Sequence, residues 1–161
     1  MPPTPALTPL VCAHGPILAT EAALFCVPLN WLHTTLFTIG IPAGDLDIET
    51  RTRLIETLRQ CLAEQDAFPL PAVPALATAS PVVLDCFPDE RWLRLRAAAA
   101  DAVTAVLGEN GAGFAVDDRP HITLACGVGT ADAGAVQSRL RLAIGARVEL
   151  LLDQLCLVEV A

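Results

Sequence analysis

Apolar residues recur along this chain with two different periods. Residues 32–39, "LHTTLFTI", alternate over a stretch rich in Thr, Leu, Phe and Ile and predict a strand. Residues 82–87 and 121–126 predict two more strands, and 114–116 a short one. Residues 147–152 and 155–160 predict closing strands separated by Asp153 and Gln154. Helical spacing appears after Asp47 and Thr50, either of which can cap a helix running to about residue 65. Leu54, Leu58, Cys61 and Leu62 share one face there, and Arg51, Glu56, Arg59 and Glu64 lie elsewhere. A second helix is expected to start at Pro88-Asp89-Glu90 and end at Gly108, and a third to open at Ala131 or Asp132 and reach about residue 144. Residues 22–27 form a short apolar run before a turn at 28–30. Four prolines mark residues 68–81 as a loop or a poor edge strand, and residues 1–9 are proline-rich enough to be frayed.

Two parts of this pattern resemble each other. His33 opens a strand that ends at Gly40, followed by an Asp-containing loop, an amphipathic helix and a chain return. His121 opens a strand that ends at Gly127, followed by "VGTADAG", another amphipathic helix and a strand. The histidines are 121 − 33 = 88 positions apart, close to half the chain. An internal duplication of strand–helix–strand units predicts an α+β protein with two lobes.

The repeated residues carry chemistry. Successive strand side chains point to opposite faces, so His33 and Thr35 share one face and Thr34 and Leu36 the other. His121 and Thr123 likewise share a face, with Ile122 and Leu124 opposite. A lone histidine on an apolar strand is usually a hydrogen-bonded core residue. Thirteen of the 161 residues are threonine, so two histidines both followed by Thr at the second position is below a roughly 1% coincidence. Two imidazoles can serve as general acid and general base, since the ring's ordinary pKa is about 6.5. Two hydroxyls can donate to non-bridging phosphate oxygens. That set suits attack at phosphorus in a small cyclic ester and requires no metal. The third histidine, His14, lacks the frame and is assigned no role.

Charge and composition narrow the partners. The formal net charge is −8, and every basic residue is an arginine. An acidic surface disfavours an extended nucleic-acid duplex but admits a small anionic ligand in a local pocket. No apolar stretch is long enough to span a membrane, and the first residues lack a positive segment of the secretory kind, so a cytoplasmic protein is expected. The six cysteines are scattered without a CxxC pair, so neither zinc chelation nor a disulfide framework is expected, and all six are read as small buried hydrophobes. No HxH, HExxH or Cys/His cluster completes a metal shell around the histidines.

"HTTL" and "HITL", half a chain apart and flanked by "VPLNWL" and "RP", resemble the paired HxTx motifs of the two-histidine (2H) phosphoesterase superfamily, in its 2'-5' RNA ligase branch. The resemblance covers residues 22–160. It implies a bilobal fold with two antiparallel sheets flanking a central cleft and helices outside, all in a single domain. The lobe of the first motif would cover residues 22–80 and that of the second 110–145, with closing strands at 147–160. It also implies His33 and His121 as catalytic residues and Thr35 and Thr123 as phosphate-binding. The implied chemistry is opening of a 2',3'-cyclic phosphate to a 2'-phosphate, or, in some members, slow ATP-independent 2'-5' ligation. No cofactor is implied; the substrate would be a small nucleotide or an RNA terminus, and a monomer is expected. Trp31 and Arg119 flank the motifs as candidate substrate contacts, and Phe37, Phe87, Trp92 and Phe114 are the other aromatic candidates for base stacking. Members usually carry a complete strand and helix before the first motif. Here about thirty residues precede His33, so the first strand is expected at residues 9–13 or is missing, which suggests as an alternative a non-catalytic nucleotide-binding module.

Overall fold

The computed structural model describes residues 5–88, 90–111, 119–143 and 147–159. They form an α+β protein of four helices and one five-stranded antiparallel-paired sheet. In chain order the elements are α1 (Thr8–Leu18), β1 (Leu24–Cys26), α2 (Ile48–Leu62), β2 (Phe68–Ala77), β3 (Val82–Cys86), α3 (Glu90–Leu107), β4 (His121–Gly127), α4 (Ala133–Leu140) and β5 (Val148–Leu152). The strand order is β1-β4-β3-β2-β5. The expected strand at 114–116 falls outside the described residues.

The chain divides into two compact units. One contains α1, α4, the chain through Thr35 and all of the sheet except Phe68 and Leu152. The other contains α2 and α3, which pack on each other. In this second unit Leu54 of α2 and Trp92, Ala99, Ala102 and Val103 of α3 are buried. A cap sets the start of α2 and the end of α3. The Asp47 carboxylate accepts the Thr50 N–H at 2.6 Å, and that bond holds its pKa below the usual carboxylate value. Gly108 follows α3 with a φ of 71°, the left-handed conformation that a glycine adopts at a helix end without steric cost. Asp132 caps α4 in the same manner, accepting from Gly134 and Ala135.

Three segments differ from the expectation. The first is the N-terminus, where residues 9–13, the expected place of a strand if one were present, are helical, as are Thr8 and Pro9 at the end of the stretch expected to be frayed. Leu7, Leu10, His14 and Leu18 follow a helical spacing and are all buried. Pro9 sits at the helix start, where its missing N–H costs nothing, and Pro16 lies inside the helix. The strand before the first motif is Leu24–Cys26, which pairs with β4 at the edge of the sheet.

The second is residues 68–77, a ten-residue interior strand instead of a loop or poor edge. Its prolines are accommodated because side chains and an irregular register replace ladder bonds. Pairing with β3 shifts between Ala72 and Ala75, which places Pro74 in a bulge where no ladder donor is needed. Beyond the bulge, the Ala75 N–H donates to His14 Nε2 (3.4 Å) and the Ala77 N–H to Gln137 Oε1 (2.7 Å). His14 is fully buried, and its Nδ1 donates to the Leu10 carbonyl at 2.7 Å. The histidine without a motif is therefore a structural joint between α1 and β2.

The third is the pairing of residues 32–39 and 155–160, both expected to be strands: residues 32–38 and 155–159 pair with no other strand, residue 39 forms an isolated bridge, and residue 160 falls outside the described residues. Extended backbone follows from their composition, but pairing depends on a partner edge that composition does not specify. The cysteine expectation is also corrected. Only Cys86 is buried; Cys12, Cys61, Cys126 and Cys156 are exposed and Cys26 is half-buried. Burial, with a smaller contribution from the Asp85 carboxylate, pushes the Cys86 thiol up to about 12, so it remains protonated and inert. Among the described residues, no helix is long and apolar enough to cross a membrane.

Candidate active site

The second motif is built by β4. Its alternation is as expected: His121 and Thr123 are half-buried on one face, and Ile122 and Leu124 are buried on the other. On the neighbouring strand β3, Asp85 stands opposite His121 and Val83 opposite Thr123. The register slips between Val82 and Val83, so one residue of β4, Leu124, is bulged, and Leu124 and Ala125 are buried in succession. The slip lies past the motif and leaves His121 and Thr123 on a common face.

The first motif lies outside the ladder, yet its faces alternate in the same way. Leu32 and Leu36 are buried, while His33 and Thr35 are exposed. Pro28 begins the turn that sets this up: Trp31 N–H donates to the Pro28 carbonyl at 2.8 Å and Leu32 N–H to the Leu29 carbonyl at 3.3 Å. All four motif residues belong to the unit that carries the sheet.

A second similarity lies beneath the shared motif. His33 Nδ1 lies 2.7 Å from the carbonyl of Trp31, and His121 Nδ1 lies 3.1 Å from the carbonyl of Arg119. A carbonyl only accepts, so in both rings the proton sits on Nδ1. Each neutral ring therefore presents Nε2 with its lone pair available, and each can receive a proton there without losing its anchor. The two rings are held alike, each by the residue two positions before it.

The flanking candidates fare differently. Trp31 is the last residue of a short 3-10 turn, and 63% of it is exposed. Arg119 donates from Nη2 to Asp85 Oδ2 at 3.3 Å, so its guanidinium is tied to β3. Trp92 is buried in α3 and offers no stacking face. The Arg147 guanidinium lies over the Phe87 ring, 5.3 Å from its centroid, Phe37 is half-buried, and Phe114 falls outside the described residues. Asp85 is not among the sequence candidates; the signal that could have found it is an acid inside an otherwise apolar strand, "VVLDC". Among the described residues, no three His, Cys, Asp or Glu side chains are grouped as metal ligands.

One position of the first motif is poorly satisfied. Thr34 faces inward where the second motif has Ile122, and its buried Oγ1 has no hydrogen-bond partner among the described residues. Thr34→Val keeps the branched shape and removes the orphan hydroxyl, so it is expected to stabilise the fold by about 1 kcal/mol. Thermal unfolding checks this; a lower Tm would show that the hydroxyl is satisfied in solution.

Comparison with known proteins finds a matching family and a matching fold. A family model described as the 2'-5' RNA ligase superfamily matches residues 21–161. No curated protein sequence matches the chain. Among solved structures, the crystal structure of TT0787 of Thermus thermophilus superposes with a TM-score of 0.66 at 19% identity, covering 93% of this chain and 78% of that one. At that identity the likeness shows the fold.

Proposed function

The chain belongs to the 2'-5' RNA ligase superfamily of two-histidine phosphoesterases, which are enzymes, and we propose that it opens 2',3'-cyclic phosphates without a metal ion. The substrate in this reading is a small nucleotide or an RNA terminus. The observation that carries it is the duplicated ring anchoring: His33 and His121 both hold Nδ1 on a carbonyl and leave Nε2 for proton transfer, each with a threonine two residues on.

In this reading the two motifs converge on one phosphate. One histidine, neutral, takes a proton from water through Nε2 as the water oxygen attacks phosphorus. The other, protonated, gives its Nε2 proton to the departing 3'-oxygen. The P–O3' bond breaks, a P–O bond to water forms, and the product is a 2'-phosphate. The rings then exchange one proton with solvent and the pair is reset. Thr35 and Thr123 donate their hydroxyl protons to the non-bridging oxygens. Trp31 supplies an open indole face on which a base can stack.

The test is turnover of a 2',3'-cyclic mononucleotide in EDTA, with the product assigned as 2'- or 3'-phosphate. A 2'-phosphate product, formed at the same rate with chelator present, is expected. A 3'-phosphate product, or loss of turnover on chelation, contradicts the reading. In the same assay Thr35→Val and Thr123→Val are each expected to raise KM as well as lower kcat, by roughly tenfold in kcat/KM, because part of each contact already exists with substrate bound. A change in kcat alone would mean the hydroxyls act only in the transition state.

A further inference from the structure

We propose that Asp85 is a positioning residue for His121, acting through Arg119; its consequence for catalysis rests on the reading of His121 as an acid or base. Asp85 lies in β3 among Val82, Val83, Leu84 and Cys86, all buried. Only 21% of its side chain is exposed, an expensive place for a carboxylate that has no task. Residues directly opposite on antiparallel strands share a face, with Cβ atoms about 4.5–5.5 Å apart, and Asp85 is opposite His121. Its Oδ2 accepts from Arg119 Nη2 at 3.3 Å, and the Arg119 carbonyl accepts from His121 Nδ1 at 3.1 Å. The three residues form one chain of contacts that ends on the imidazole.

The peptide in the middle of that chain has reason to need support. The Arg119 carbonyl belongs to the bond preceding Pro120, which has no N–H with which to anchor itself to β3. The neighbouring carbonyl, that of Pro120, is secured by the Cys86 N–H at 3.0 Å. On the other side the Arg119 side chain is held on Asp85. The first motif achieves the same result with backbone alone: the Trp31 carbonyl that holds His33 follows a turn closed by the Trp31 and Leu32 N–H groups. The ion pair thus does for His121 what the turn does for His33.

The test reads the rings directly. With 15N-labelled histidine, long-range 1H–15N spectra of the neutral rings should show both His33 and His121 protonated at Nδ1 in the wild-type chain. In Asp85→Ala, and independently in Arg119→Ala, His121 should move toward the Nε2–H form that free imidazole side chains favour, while His33 stays unchanged. Asp85→Glu, which keeps the carboxylate, should restore much of the Nδ1–H form. The alanine variants should also lose on the order of tenfold in kcat with little change in KM, the mark of a misaligned group rather than lost binding. His121 remaining Nδ1–H in both alanine variants would overturn the proposal, as would His33 and His121 changing together. If His121 alone responds but the wild-type chain does not turn over cyclic nucleotide, the positioning stands and the assignment of His121 as acid or base falls.

Discussion

His33→Ala or His121→Ala is expected to lower kcat on a 2',3'-cyclic mononucleotide by roughly 10²–10⁴, the usual share of a positioned acid or base. Each ring is anchored through Nδ1 and offers Nε2, so alanine removes the proton-transfer group and nothing that binds the phosphate in the ground state. KM should therefore change far less than kcat. The reaction needs one ring neutral and the other protonated, which makes the wild-type pH profile of kcat/KM bell-shaped. Each single variant should lose one limb of the bell. His33 is exposed and His121 stands on β4 with its face half-buried, so neither substitution empties a core and folding should be retained. An equal loss in kcat/KM arising from KM alone would mean that the rings bind phosphate rather than move protons.

The largest expected effect on stability comes from the histidine outside the motifs. His14→Ala should destabilise the fold by on the order of 4 kcal/mol. The side chain is fully buried, so its removal leaves a cavity between α1 and β2. It also strands the Ala75 N–H beside the β2 bulge and removes the donor to the Leu10 carbonyl. Such a loss is a large fraction of the roughly 5–15 kcal/mol that holds a domain together. His14→Gln retains a donor and an acceptor and should recover part of it. Urea unfolding measures the difference, and kcat/KM per folded molecule should be unchanged. A cost below about 1 kcal/mol would mean that the joint is dispensable.

Periodicity made some of this architecture readable and hid the rest. α2, α3 and α4 were legible because apolar spacing and caps agreed: Asp47, Gly108 and Asp132 each stand where a helix begins or ends. The faces of both motifs were legible because a period of two needs no knowledge of pairing. The pairing of residues 32–38 was not, since Thr, Leu and Phe favour extended backbone whether or not an edge is available. α1 was hidden by Pro9 and Pro16, although Leu10, His14 and Leu18 already followed the helical period. β2 was hidden by its prolines, because the His14 and Gln137 side chains that satisfy its N–H groups lie far away in sequence. The ring anchors were invisible for a related reason: nothing in the letters at positions 31 and 119 marks a carbonyl as a hydrogen-bond partner. Asp85 announced itself only as an acid in an apolar strand, and its link to His121 needs the β3–β4 register and the Arg119 contacts, neither of which the letters show.

The measurement closest to the centre of this account compares the wild-type chain with His33→Ala/His121→Ala in hydrolysis of a 2',3'-cyclic mononucleotide with EDTA present. The wild-type chain should release 2'-phosphate, and the double variant should be slower by at least the factor of the more damaging single change. The two losses should fall well short of multiplying, because the rings work as one unit. A double variant that turns over substrate as fast as the wild-type chain would place the activity elsewhere and contradict the assignment of the two motifs.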